Sequence, residues 1–107
     1  MTRALHAELA ALGALPGERA TLLQFSSAFC APCRATRRTL AEVAALVPGV
    51  VHVEVDADEH LTLTRALSIA KTPTTLVLDA AAQEVSRAAG QPRKADVLAA
   101  LTLALPS

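Results

Sequence analysis

Tryptophan and tyrosine are absent from this 107-residue chain, and phenylalanine occurs only twice. No aromatic platform therefore exists on which nucleic-acid bases could stack. The core is expected to be aliphatic, built from Ala, Leu and Val. Excess charge is missing too: ten Lys and Arg balance ten Asp and Glu. A nucleic-acid-binding domain normally carries a basic excess, and a polybasic membrane surface is equally lacking. Two small clusters, Arg34, Arg37 and Arg38 against Asp56, Asp58 and Glu59, are too short to define a partner by charge. No apolar run reaches the length of a membrane span. Glu8 interrupts any secretory apolar region near the start, so no signal peptide is read and a cytoplasmic, reducing setting is expected. Repeats and low-complexity linkers are also missing. With 52% hydrophobic residues, residues 1–107 are expected to form one ordered domain.

What is present alternates between helical and extended patterns. Leu5, Leu9 and Leu12 recur at helical spacing after Thr2, a good N-cap, and Gly13 can end that helix. Thr21 to Ser26 is a mostly apolar strand, as expected when both faces are covered. Pro32 to Val47 predicts a helix. Cys33, Leu40, Val43, Ala44 and Val47 share one face, and Arg34, Arg37, Arg38 and Glu42 take the solvated one. Pro48-Gly49 stops it. Val50 to Val55 predicts a second strand, and Asp58 can cap a third helix carrying Leu61, Leu63, Ala66 and Leu67. Strands follow at Thr75 to Leu78 and Glu84 to Ala88, the last antiparallel to its predecessor. A final helix carries Val97, Leu98, Leu101 and Leu105. Strands alternating with helices predict an α/β fold of parallel pairs joined by right-handed crossovers, with an antiparallel hairpin at one edge.

Cysteine is as scarce as phenylalanine, but both copies fall in one run, Phe29-Cys30-Ala31-Pro32-Cys33-Arg34, at a strand-to-helix junction. A thiol of ordinary pKa is mostly protonated at neutral pH. The unpaired N–H groups and partial positive charge of a helix N-terminus stabilise the thiolate, which is the nucleophile. The spacing puts the second sulfur one turn in, within reach of the first. Cys30, ahead of the helix, is the expected attacking nucleophile, and Cys33, on the apolar face, the buried resolving thiol. Structural zinc would need two further ligands. No other Cys exists, and His6, His52 and His60 lie in separate segments, so no metal is expected. A pair of inert core cysteines, or a domain that binds without turnover, remains open on the motif alone.

From Thr21 onward the chain resembles the thioredoxin family. Phe29 to Arg34 is similar to the family's Trp-Cys-Gly-Pro-Cys-Lys active site, Val53-Glu54-Val55-Asp56 to its central strand and the acidic turn after it, Lys71-Thr72-Pro73-Thr74 to its cis-proline loop, and Gly90 to the glycine before its last helix. The resemblance implies a thioredoxin-like α/β fold, with a mixed sheet of about four strands flanked by helices on both faces. The family's first strand has no obvious counterpart here. It further implies a monomeric thiol–disulfide oxidoreductase with no bound cofactor, carrying electrons through a redox-active Cys30–Cys33 disulfide. Substrates would be disulfides in proteins or small molecules, re-reduction falling to a flavin-dependent, NADPH-using enzyme like thioredoxin reductase. The implied substrate-binding residues are Phe29, Ala31, Pro32, Thr72, Pro73 and Gly90, with Thr72 pairing to the substrate backbone. An oxidant or isomerase, and a non-redox binding module, are the alternatives.

The departures from the family are specific. Phe29 replaces Trp, Ala31 replaces Gly, and Arg38 replaces a helix-kinking proline. Gln24 stands where a buried Asp handles the resolving thiol's proton, and His52 where its Lys partner stands. Gln24 cannot ionise. His52, with an ordinary pKa near 6.5, is therefore a candidate to move that proton.

Overall fold

A computed structural model of the chain describes residues 4–106. In chain order the elements are α1 (His6–Ala11), β1 (Ala20–Ser26), α2 (Ala31–Leu46), β2 (Val50–Asp56), α3 (Leu61–Ala66), β3 (Thr74–Leu78), β4 (Glu84–Ala89) and α4 (Lys94–Ala104). The strands form one mixed sheet in the order β2-β1-β3-β4. Period-two alternation in β1 sends its side chains to two separate cores. Leu22 packs with Leu40 and Val43 of α2, Val77 of β3, and Val97 and Leu101 of α4. Leu23 and Phe25 pack with Leu5, Leu9, Val55, Leu76 and Leu78. The second core lies beneath α1 and α3, so helices cover both faces. Phe25 is wholly buried and is an exception to an aliphatic core.

Expectation and structure differ in a few places. Thr2, the expected cap of the first helix, lies outside the described residues, and Leu5 holds the N-cap position of α1. Asp58 does not cap α3; His60 is its N-cap residue. The capping-type bonds occur one turn earlier, where the Asp56 carboxylate accepts from the backbone N–H of Asp58 (2.9 Å) and Glu59 (3.4 Å). Leu61, Ala66 and Leu98 of the expected apolar stripes are exposed. In α4 the buried face centres on Val97, Leu101 and Ala104, which leaves Leu98 at its margin.

The larger difference concerns strand direction. β1 and β2 are parallel, but β3 is antiparallel to β1. The reason is length. α2 has 16 residues and spans about 24 Å, enough to carry the chain back along a seven-residue strand of about 23 Å. α3 has six residues and spans about 9 Å, so the chain stays at the end of the sheet where β2 finished and re-enters in the opposite sense. Among the described residues no strand lies beyond it, so β2 is an edge strand rather than a central one.

Phe25→Ala would empty the largest side chain from the core between the sheet and α1. The expected cost is about 3–5 kcal/mol, read as a lower urea midpoint by far-UV circular dichroism.

Candidate active site

The two cysteines lie at the loop from Ser27 to Cys30 and the first turn of α2. Phe29 takes a left-handed backbone conformation (φ 56°) and its ring is fully exposed. Such a φ is costly for a bulky residue. Here it turns the chain so that Cys30 becomes the N-cap of α2. The Cys30 sulfur accepts the backbone N–H of Cys33 at 3.2 Å, taking the place a Ser or Asp oxygen would fill. Cys30 and Cys33 form a disulfide with Cα atoms 5.2 Å apart. Cys33 is 1% exposed, whereas Cys30 is partly open to solvent. Ala31 and Pro32 are exposed beside them, and the first turn carries no acidic residue to oppose a thiolate.

A second loop stands against this one. The Thr72–Pro73 bond is cis. The hydroxyls of Ser27 and Thr72 share a hydrogen bond of 2.8 Å, which joins the cysteine loop to the proline loop. Gly90 donates its N–H to the Pro73 carbonyl at 2.8 Å with φ +86°, a conformation that excludes most side chains. Phe29, Cys30, Ala31, Pro32 and Cys33 thus form one segment, and Thr72, Pro73 and Gly90 a second one tied to it through Ser27.

His52 lies elsewhere, behind the cysteines on β2, and reaches them through Gln24. The fully buried Gln24 amide donates from Nε2 to the Cys33 carbonyl (2.9 Å) and to Ser26 Oγ (2.9 Å). The Cys33 carbonyl can only accept, so the amide nitrogen must face it and Oε1 must face His52. His52 Nε2, 2.9 Å from that oxygen, is therefore the N–H donor. Its burial pushes its pKa below the ordinary value, against the pull of Glu54's negative charge.

Sequence reasoning missed the rest of this network. Ser26 Oγ donates to Glu54 Oε2 (2.8 Å), and Arg37 Nε donates to Glu54 Oε1 (2.7 Å). Arg37, expected on the solvated face, is exposed but paired. Burial alone would raise Glu54's pKa; hydrogen bonds from Arg37 and Ser26 and Arg37's charge reverse this and hold it below the usual carboxylate range. Part of the signal was available, because Ser26 follows Gln24 by two residues and Glu54 follows His52 by two, which puts each pair on one face of its own strand; the β1–β2 register then brings the two pairs to the same face. Thr36 was also missed; its buried hydroxyl donates to the Pro32 carbonyl at 2.8 Å. Among the described residues no three His, Cys, Asp or Glu side chains are placed to hold a metal ion.

A family model for thioredoxin matches residues 10–103. The chain belongs to the thioredoxin family. Its cysteine pair has the Cys-x-x-Cys form of the family's thiol–disulfide oxidoreductases. Thioredoxin H-type 1 of Nicotiana tabacum is 32% identical over 73 residues, which is 68% of this chain and 57% of the tobacco protein. The match thus spans little more than half the length of that relative. Among solved structures, a point mutant of the thioredoxin from Halobacterium salinarum superposes with a TM-score of 0.75 at 18% identity, covering 84% of this chain and 78% of that one. The Nicotiana alata thioredoxin NaTrxh gives 0.74 at 19% identity, covering 94% and 84%. Spinach chloroplast thioredoxin F gives 0.71 at 25% identity, covering 82% and 78%.

Both depressed pKa values carry a stability consequence. A His protonated more easily in the unfolded chain favours unfolding as acid is added, so His52 contributes stability above about pH 6.5 that is lost as pH falls through its lower folded value. Glu54 contributes in the same sense in a lower window, beginning near the ordinary carboxylate pKa of 4.5. Urea midpoints measured from pH 8 to pH 4, a range of about four units around these values, should fall for the wild type and fall less in the upper window for His52→Gln.

Proposed function

We propose that this chain is a thiol–disulfide oxidoreductase that reduces disulfides in proteins or small molecules. The observation that carries the reading is the disulfide between a part-exposed Cys30 at the N-cap of α2 and a buried Cys33 one turn in. The Cys30 thiolate, favoured by the Cys33 N–H and the helix N-terminus, attacks one sulfur of the substrate disulfide. A mixed disulfide forms and the other substrate sulfur leaves as thiolate. Cys33 then loses its proton and attacks Cys30 Sγ, forming the Cys30–Cys33 bond and expelling the second thiolate. Two electrons pass to the substrate, and its two thiolates take up protons.

Phe29, Ala31 and Pro32 offer the substrate an exposed apolar rim. Thr72 pairs with its backbone, Pro73 and Gly90 shape the facing loop, and the Thr72 side chain is steadied by Ser27. His52 enters as a proton-handling group only through Nδ1, since Nε2 is committed to Gln24. The oxidised pair is recycled by a dithiol donor such as a thioredoxin-reductase-like flavoenzyme, in a cytoplasmic setting and with the chain as a monomer. Among the described residues no helix is long and apolar enough to cross a membrane.

Dithiodipyridine, an aromatic disulfide whose leaving groups absorb light, tests the assignment of roles. The reduced wild type should release two equivalents of pyridinethione in about two phases, one per step. Cys30→Ser should react slowly or not at all. Cys33→Ser should release the first equivalent and stop as a mixed disulfide visible by mass spectrometry. Equilibration with thiol buffers should give a potential near about −270 mV for a reductant; a value well above about −200 mV would assign the chain to disulfide formation or isomerisation instead.

A further inference from the structure

The cysteine brought into the second step is held by more than its own helix. Its carbonyl accepts from Gln24 Nε2, which also donates to Ser26 Oγ; Ser26 donates to Glu54, and Glu54 accepts from Arg37. Arg37 lies four residues beyond Cys33 on α2, one helical turn away. The interactions therefore close into a ring, Cys33–Gln24–Ser26–Glu54–Arg37, that ties the first turn of α2 to β1 and β2. From Gln24 through Ser26, each hydrogen points towards the Glu54 carboxylate. A carboxylate at the end of such a chain polarises each bond before it and fixes their direction. A protonated or amide side chain there can donate as well as accept, which removes that direction.

We infer that Glu54 is a positioning residue for the resolving step, holding Cys33 in place for attack on Cys30 through Ser26 and Gln24. The inference rests on the roles proposed above for Cys30 and Cys33. The effect of Glu54 falls on the second step, because the ring grips the backbone of Cys33, the attacking group in that step, whereas Cys30 lies ahead of the helix in the cysteine loop and makes no contact with the ring's polar side chains. Glu54 also stands where a charge can be maintained. It lines an open polar cleft of about 410 Å³ together with Ser26, Arg37, Asp56, Glu59 and His60. The groups facing it are Arg37 from α2, His52 and Asp56 from its own strand, Glu59 and His60 from the turn before α3, and the neutral Ser26 from β1.

The two phases of the dithiodipyridine reaction separate the steps. Glu54→Gln should slow the second phase about tenfold or more, as expected when a reacting group loses its alignment, and leave the first within about twofold. Ser26→Ala keeps the Glu54–Arg37 pair but cuts the chain to Gln24, and it should reproduce the same selective loss. It carries the test if Glu54→Gln does not fold. The ratio of wild-type to Glu54→Gln second-phase rates should be constant near neutral pH and fall towards unity in acid, as Glu54 of the wild type is protonated. Equal slowing of both phases, an unchanged second phase, or a rate ratio independent of pH would each overturn the inference while leaving the oxidoreductase intact. Wild-type protein that releases no pyridinethione at all would overturn the parent reading, and this one with it.

Discussion

The Gln24 amide is the constraint on which the site is built. It is wholly buried in one of the two inner strands, where an unpaired polar group costs about 1–3 kcal/mol. Its side chain bonds to Cys33, Ser26 and His52, which come from α2, β1 and β2. Satisfying one amide thus sets the height of the α2 first turn above the sheet, the direction of the Ser26 hydroxyl and the tautomer of His52. A carboxylate at this position would meet the Cys33 carbonyl as acceptor against acceptor. The neutral side chain and the contact to Cys33 therefore belong together.

Sheet order explains why charge appears beside this neutral centre rather than within it. β2 is an edge strand, so the polar side chains on its α2 face are half-covered by the helix and half-open. Glu54 keeps its charge there because Arg37 and Ser26 together offset the cost of its partial burial. Gln24, beneath α2, and Thr36, on the buried face of that helix, are uncharged and hydrogen-bonded. The outcome is a graded boundary. Neutral amide and hydroxyl groups lie next to the buried cysteine, and ionised groups lie further out, where water reaches them.

At the start of the same helix, Phe29 is fixed by backbone geometry, and the proline loop by a part-buried hydrogen bond between two side chains. The left-handed Phe29 places Cys30 at the helix cap, and the Ser27–Thr72 bond fixes the facing loop to it. Both loops lie where β1 and β2 end and β3 begins, since Phe25 of β1 pairs with Thr74 of β3. The antiparallel entry of β3 is what brings Thr72 to this end. Had α3 been long enough to return the chain for a parallel strand, that loop would have started from the opposite side of the sheet.

Much of this was legible in the residues. The element order followed from hydrophobic period and from Gly and Pro positions. The reactive pair followed from two cysteines at a strand-to-helix junction, and the pairing of Gln24 with His52 from their substituted positions. Such features are local, or depend on a spacing that one element fixes. What the sequence could not decide depends on contacts between distant segments: the direction of β3, the edge position of β2, and the capture of Arg37 by Glu54 across 17 residues. An exposed arginine on a helix reads as solvated until the strand beside that helix is known. Local periodicity thus determined most of the residues that face inward, and the position of the two cysteines determined where the chemistry lies. Only the tertiary structure decided which polar groups meet, because register and strand order are set by the packing of the whole sheet rather than by any one segment.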